Sequence, residues 1–243
     1  MKIVCIIPSR IGSTRLARKP LLSIQGKPMI QMVYENARAC KVLHSVIVAT
    51  DSPEIAAVIA DCGGTVEFTD PSLKTGSDRV AAVAKKQTDA DVIINLQGDE
   101  PFIKSSMLES LVAPYLAGDN PEMTTLAYPL DMEREYNDPN VIKVIADCRN
   151  NALYFSRSPI PYRRSTVSDP LPVYHHMGIY AFRYDFLMTF TQLPQTPLEL
   201  VEVLEQLRAL EHGYRIRLCL TEEKTLEINT PEDLARAQTF RGA

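Results

Sequence analysis

IVCIIPSRIGSTRLARKPL, residues 3–21, runs from an apolar segment into a loop that carries Arg10, Arg15, Arg18 and Lys19. An apolar, β-branched run that stops at Pro8 reads as a core strand, and the polar stretch after it reads as a strand-end loop. The same alternation continues down the chain. "MIQMVYENARAC" has helical spacing, "SVIVAT" is a strand, "SPEIAAVIADCG" a helix, "TVEFT" a strand, "SDRVAAVAKK" a helix and "DVIINL" a strand. Strands alternating with helices predict a parallel sheet joined by right-handed crossovers. A segment as continuously apolar as "DVIINL" suits a sheet covered on both faces. Ser52-Pro53-Glu54 and Thr230-Pro231-Glu232 predict helix starts, a capping hydroxyl followed by Pro at the first helical position.

Beyond residue 120 the pattern loosens. "VIKVIAD", "NALYFSRSPIPYRR" and "HMGIYAF" read as strands around a polar, Pro-bearing loop near 163–173. "LELVEVLEQLRALEHG" reads as one helix stopped by Gly213. With 243 residues and no repeat or long linker, the chain is expected to form a single domain over 1–243. A substrate-binding portion is expected in its second half.

The charge balance is acidic, 30 Asp and Glu against 26 Lys and Arg, yet no acid precedes Glu35. Six basic residues come first, so the opening loop is positive in a negative protein. Ligands of open α/β sheets sit at the carboxyl ends of strands, where a Gly- and hydroxyl-bearing loop offers N–H groups and its basic side chains offer countercharge. Neither Walker A nor GxGxxG spacing is present. The residues alone leave two readings, an anion-binding loop or a solvated basic one. In "INLQGDEPFI", residues 94–103, a core strand runs into Gly98, Asp99 and Glu100. That is either an ordinary Asp turn or a place to hold Mg²⁺ beside a phosphate. The five Cys are irregularly spaced with no CxxC pair, which argues against a disulfide framework or zinc site. No secretory signal or membrane-length apolar run is visible, so a cytoplasmic location is expected.

Taken together, "GSTRLARKPL", "GKPMIQMVYENA", "VIVATDSPEI", "TGSDRVAAV", "INLQGDEPFI", "ALYFSRSPIPY", "HMGIYAFR", "LEQLRALEHG" and "INTPEDL" resemble, in order and spacing, the CMP-Kdo synthetases (3-deoxy-manno-octulosonate cytidylyltransferases) of the sugar nucleotidyltransferases. The resemblance covers almost the whole chain. It implies a three-layer, Rossmann-like α/β nucleotidyltransferase fold with a central, mostly parallel but mixed sheet. It also implies the reaction: the anomeric hydroxyl of Kdo attacks the α-phosphorus of CTP, and CMP-Kdo and pyrophosphate form, for lipopolysaccharide synthesis. Such transfer needs positioning and charge neutralisation rather than a covalent nucleophile.

By the same resemblance, Arg10, Lys19 and Asp99 are the catalytic set. Pro8, Ser9, Arg10, Ser13, Arg15 and Lys19 receive CTP on its phosphate side. Gly76, Ser77, Arg79 and Gln97 surround the cytidine. Arg157, Arg164, His176, Tyr180, Glu205 and Gln206 meet the sugar acid, and Asp99 with Asn229 holds Mg²⁺. A homodimer formed through the second half is implied too. Without the resemblance, "TGSD" is no more than a helix cap, and the two Arg are surface ion-pair partners. His176 and Tyr180, four apart on an expected strand, share a face. Glu205 and Gln206 are expected within the helix.

The chain departs from the family pattern at Ile11 for Tyr, Ala17-Arg18 for Pro-Gly, Arg163 for Pro and Asn229 for a metal-binding Asp. Losing Gly at position 18 removes easy access to positive φ, and Arg18 is expected to add charge beside the triphosphate. Other readings remain: 8-amino-Kdo or another 2-keto sugar acid, another NTP, or a nucleotide-binding protein without turnover.

Overall fold

The computed structural model describes residues 1–12, 16–164 and 171–240. Strand β1 (Ile3–Ser9) leads through a 3-10 turn (Lys19–Leu21) and a small hairpin, β2 (Ser23–Ile24) and β3 (Lys27–Pro28), into helix α1 (Met29–Arg38). Then come β4 (Ser45–Thr50), α2 (Pro53–Asp61), β5 (Thr65–Phe68), α3 (Gly76–Ala84), β6 (Val92–Asn95) and α4 (Ser105–Leu116). The second half contains β7 (Met123–Pro129), β8 (Lys143–Ala146), β9 (Ala152–Ser156), β10 (Val173–Arg183) and α5 (Tyr184–Phe190). It closes with α6 (Pro197–Glu202), α7 (Leu207–Glu211), β11 (Ile216–Leu220) and α8 (Pro231–Ala237).

Among the described residues, one sheet has the order β11-β7-β10-β6-β1-β4-β5, with β8 and β9 added beside β10. β6, β1, β4 and β5 are parallel. β10 runs antiparallel to both β6 and β7, which makes the sheet mixed. The two faces of β1 explain its uninterrupted apolar sequence. Ile3, Cys5 and Ile7 pack with α1, α2 and α4, while Val4 and Ile6 pack on the opposite face with α3, α5 and α7. Burial of an aliphatic side chain contributes about 1.5–3 kcal/mol, so a strand covered on both sides anchors both layers.

The expected helix starts form as capped ends: Ser52 Oγ accepts from Ile55 N, and Thr230 and Asp233 make a reciprocal capping box. The expected single helix over "LELVEVLEQLRALEHG" does not form. Val203 takes a left-handed backbone, φ 55°, between α6 and α7, an uncommon conformation for a β-branched residue. Glu205 and Gln206 therefore lie in the break rather than within a helix, while Gly213, φ 82°, ends the second piece as expected. "LEINTPEDL" forms no strand before α8, although Leu226 and Ile228 are buried and Glu227 is exposed. Among the described residues no helix is long and apolar enough to cross a membrane.

Candidate active site

From β1 the chain crosses over to β4 and β5 on one side and then returns from β5 through α3 to β6 on the other side of β1, and a parallel sheet opens a crevice where the strand order reverses in this way. A pocket of about 290 Å³ lies there, at the carboxyl ends of β1 and β6. Pro8, Ser9, Arg10 and Gly12 line it from the β1 loop, Lys19 from the 3-10 turn, Gly76 and Arg79 from α3, and Gln97, Gly98 and Asp99 from the loop after β6. Gly98 is required by close approach, since a Cβ there would sit 3.2 Å from the Pro8 carbonyl oxygen. The adjacent Ser9 Oγ is buried with no hydrogen-bond partner among the described residues.

Lys19 joins the two ends of the chain. Its Nζ donates to Asp99 Oδ2 at 2.8 Å and to Asn229 Oδ1 at 3.1 Å. Asn229 reaches this place because Ile228 N donates to the Asp99 carbonyl and Asn229 N donates to Asp233 Oδ2 at the start of α8. The second carboxylate oxygen, Asp99 Oδ1, is buried without a partner. These residues fit Mg²⁺: the donors are all oxygen, two of them already converge on a cation, a third is unsatisfied, and Mg²⁺ commonly takes one or two protein ligands and fills the rest with phosphate and water. Among the described residues no cluster of three or more His, Cys, Asp or Glu offers a cage for a different metal. Glu100 is not a competing ligand. It is buried and accepts from Thr225 Oγ1 at 2.9 Å. Burial first, then the charges of Glu227 and Asp99, push its carboxyl well above the usual range.

Thr75 caps α3 in a reciprocal box with Asp78, so "TGSD" is a helix cap and a pocket wall at once. Arg79 is nearly buried and its guanidinium is held by Asp51 at 3.0 Å and by Thr69. Gln97 Nε2 donates to Asn95 Oδ1 at 2.8 Å, and Asn95 Nδ2 donates to Ser77 Oγ at 3.2 Å. Ser77 does not line the pocket. It sits behind the wall and gives its proton to Glu205 Oε2 at 2.5 Å.

The break at Val203 is what brings Glu205 to Ser77. A buried pair behind it, Arg208 with both Glu199 oxygens, fixes α7 against α6. The Arg208 guanidinium also stands 3.6 Å from Glu205 Oε1. Burial raises the Glu205 carboxyl above its ordinary value, while Ser77 and Arg208 oppose the shift. Among the described residues neither Glu205 Oε1 nor Gln206 Nε2, both buried, has a hydrogen-bond partner; Glu205 Oε1 has the Arg208 charge nearby, while the Gln206 amide keeps an unused donor.

His176 and Tyr180 share a face as expected, their rings 5.6 Å apart. A register irregularity in β10 falls between them. The His176 imidazole is 3.1 Å from Thr125 Oγ1, and desolvation pulls its pKa down to about 3. Burial also raises the Tyr180 phenol. Arg157 is tied into the fold, with Nε donating to the Glu202 carbonyl at 2.8 Å and a terminal nitrogen to the Pro139 carbonyl at 3.2 Å. Arg164 is exposed.

Arg10, Lys19, Asp99 and Asn229 are thus assembled with Gly76, Arg79 and Gln97, and a hydrogen-bonded wall separates them from Glu205. Ser13 and Arg15 lie outside the described residues. Lys74, Thr75 and Leu73 also line the pocket, and neither these nor Asp51, Asn95 and Arg208 were singled out by sequence. A cation directly before "TGSD" was the one available hint of Lys74. Arg18 departs from its expected role: it takes φ 55° despite its side chain and forms a bidentate pair with Glu54 on the surface. Its charge is therefore directed to α2. Ile11 packs against the core on the α1 side, an apolar function that accepts an aliphatic in place of Tyr.

The geometry has counterparts in known proteins. The family model described as cytidylyltransferase matches residues 4–218. The 3-deoxy-manno-octulosonate cytidylyltransferase of Acaryochloris marina is 52% identical over 240 residues, covering 99% of this chain and 97% of that protein. Its namesake from Synechococcus elongatus is 50% identical, covering 99% and 98%. A solved structure of CMP:2-keto-3-deoxy-manno-octonic acid synthetase complexed with CTP superposes with a TM-score of 0.92 at 40% identity, covering 98% of this chain and 97% of that one. The architecture is accordingly the three-layer, Rossmann-like nucleotidyltransferase fold, and the chain belongs to the 3-deoxy-manno-octulosonate cytidylyltransferase family.

Proposed function

We propose that this protein transfers CMP from CTP to the anomeric hydroxyl of Kdo, releasing pyrophosphate. The observation that carries the reading is the convergence of Arg10, Lys19 and Asp99 on one pocket at the β1/β6 switch point, with Asn229 bonded to the Lys19 ammonium. The sugar hydroxyl oxygen forms a bond to the α-phosphorus, the bond from that phosphorus to the bridging oxygen of pyrophosphate breaks, and the hydroxyl proton is lost. Arg10 and Lys19 supply positive charge where the pyrophosphate develops its negative charge, an interaction that strengthens toward the transition state. Asp99 and Asn229 would hold Mg²⁺, which when bound neutralises phosphate oxygens and orients the triphosphate. Ser9, which lines the same pocket, would meet CTP on its phosphate side.

In this reading residues 1–120 carry the nucleotide and 121–243 the sugar within a single domain. Glu205, Gln206, His176 and Tyr180 form the sugar corner, and Arg164 brings a guanidinium to the sugar carboxylate. Arg157 stabilises that corner from behind through its bonds to Glu202 and Pro139. The second half also offers a homodimer surface, supported by Leu153, Leu200, Val201 and Val203, which are 58–80% exposed. Sedimentation should give twice the chain mass, and charged replacements of Val201 should give a monomer.

The experiment is to incubate purified protein with Mg²⁺, each of the four NTPs, and either Kdo or 8-amino-Kdo, measuring pyrophosphate. Release is expected with CTP and Kdo together. Equal release with UTP would change the nucleotide assignment, and preference for 8-amino-Kdo would change the sugar. Nucleotide binding without any release would leave a binding protein.

A further inference from the structure

Behind the pocket wall runs a chain of hydrogen bonds whose directions are all set by its far end. The Glu205 carboxylate, beside the Arg208 guanidinium, can only accept. Ser77 has one hydroxyl proton and gives it to Glu205 Oε2 at 2.5 Å, so the Ser77 oxygen is left to accept. It does so from Asn95 Nδ2 at 3.2 Å. Asn95 must then turn its carbonyl toward Gln97, and Gln97 Nε2 donates to it at 2.8 Å. The carbonyl end of the Gln97 amide is left on the Gly76 side, where an added Cβ would lie 3.5 Å from Oε1 and 3.8 Å from Nε2. Ser77 and Asn95 are only 2% and 1% exposed, so water does not readily replace a bond lost from this chain. Of the four residues, Gln97 alone lines the pocket.

We infer that Ser77 and Asn95 are positioning residues that lock the amide of Gln97 with its carbonyl oxygen toward the nucleotide, so that the pocket selects a pyrimidine presenting an amino group over one presenting a carbonyl. The inference deepens the nucleotide-pocket reading and rests on it. A solvated glutamine would serve either base, because its amide turns over at little cost and presents a donor or an acceptor as needed. Turning Gln97 over here would set its oxygen against the oxygen of Asn95. Asn95 could follow only if Ser77 withdrew its proton from the carboxylate. The cost of reading the wrong base is thereby carried to the charged end of the chain. That end, Glu205, belongs to the sugar corner, so the element that orders the sugar side also sets the polarity of the base side.

Equilibrium binding of CTP and of UTP to the purified protein, with Mg²⁺ and without sugar, tests this by calorimetry. The wild type should favour CTP, and Ser77→Ala should lower the CTP/UTP affinity ratio by about tenfold, the order expected when one buried hydrogen bond loses its fixed direction. Ser77→Thr, which returns the hydroxyl, should restore the ratio. Glu205→Gln provides the second variant. Its amide can donate to Ser77, which allows the chain to reverse, so UTP should bind more tightly than to wild type. An unchanged ratio in Ser77→Ala and Glu205→Gln overturns the inference while leaving the CTP pocket intact. An equal loss of both nucleotides in Ser77→Ala also overturns it, because that is the signature of a merely structural contact. A wild type that binds no CTP overturns the underlying reading itself.

Discussion

The two halves of the molecule prepare their sites by different physical means. On the β1/β6 side, parallel strands end together, and the loops beyond them must gather at one edge of the sheet. Pro8, Ser9, Arg10, Gln97 and Asp99 reach the pocket by continuing their strands. On the β10 side the sheet is antiparallel, and the corner is assembled from side chains: Glu205 held by Ser77, Arg208 by Glu199, Arg157 by two carbonyls. The first half is preorganised by topology and the second by buried polar contacts, which gain strength in a low dielectric and leave costly unpaired groups when cut. Mutations at the strand ends of the first half should therefore remove chemistry and spare the fold, whereas mutations that cut the buried polar contacts of the second should cost both chemistry and stability.

The largest expected effect is Asp99→Ala. The carboxylate shares Lys19 with Asn229 and keeps one oxygen unpartnered, so its removal takes away both the cation partner and the principal oxygen ligand. Turnover should fall about 10³-fold or more, the scale seen when preorganised charge stabilisation is lost. Urea unfolding should change little, because the carboxylate packs no core. Pyrophosphate release within tenfold of wild type would refute the assignment, and a large drop in unfolding midpoint would break the contrast between the halves.

The second half should respond to pH through His176. Its imidazole is buried, and its folded pKa, about 3, lies below the usual 6.5 of an unfolded chain. A base with a depressed folded pKa binds its proton more readily when unfolded. Its contribution to stability is thus complete above about pH 6.5 and is lost as pH falls from there toward 3. At pH 5 the loss amounts to roughly 2 kcal/mol. Urea midpoints measured at pH 8 and pH 5 should converge in His176→Leu relative to wild type. Equal pH dependence in the two proteins would show that His176 titrates normally.

Arg157 and Arg164 sharpen the comparison within the second half. Arg157→Ala removes charge-assisted bonds to the Glu202 and Pro139 carbonyls and should cost about 1–2 kcal/mol of stability along with sugar affinity. Arg164→Ala, at an exposed position, should stay within about 0.5 kcal/mol of wild-type stability and weaken only the sugar. Calorimetry with Kdo beside urea unfolding separates the two. Loss of CTP affinity in Arg164→Ala would place that residue in the wrong half.

Legibility in the sequence divides along the same line. Continuous apolar runs and capped helices made the parallel half legible, because each strand there is sandwiched between layers and its pattern has one explanation. The acid-free opening pointed to Lys19, yet the same reasoning gave Arg18 to the phosphates, and no local pattern shows that Glu54, 36 residues away, takes that charge. The helix break at Val203 was not legible. "LELVEVLEQLRALEHG" has helical propensity throughout, and the left-handed turn is imposed by tertiary contacts such as the Glu199–Arg208 pair. Ser77 was found by motif but assigned to direct contact, since sequence cannot distinguish a residue lining a pocket from one bracing its wall.

The smallest expected effect lies at Asn229, the one site residue contributed to the first half's pocket by the far end of the chain. Its place is set by backbone, through Ile228 N to the Asp99 carbonyl and through the α8 cap, so Asn229→Asp should keep the geometry and add only charge. The neighbouring carboxyl charge is limited: Glu100 is pushed toward its neutral form by burial and by Glu227 and Asp99, and Asp99 already faces Lys19. An added carboxylate would have Lys19 as an immediate partner and would give a hard cation a second charged oxygen. Activity should persist, and the Mg²⁺ concentration for half-maximal rate should fall by about three- to tenfold, an interaction of the order of 1 kcal/mol in a partly solvated site. Asn229→Ala should raise that concentration by a similar factor. If both variants follow the wild-type Mg²⁺ titration, Asn229 is only a partner for Lys19, and the cation is held by Asp99 and the phosphates alone.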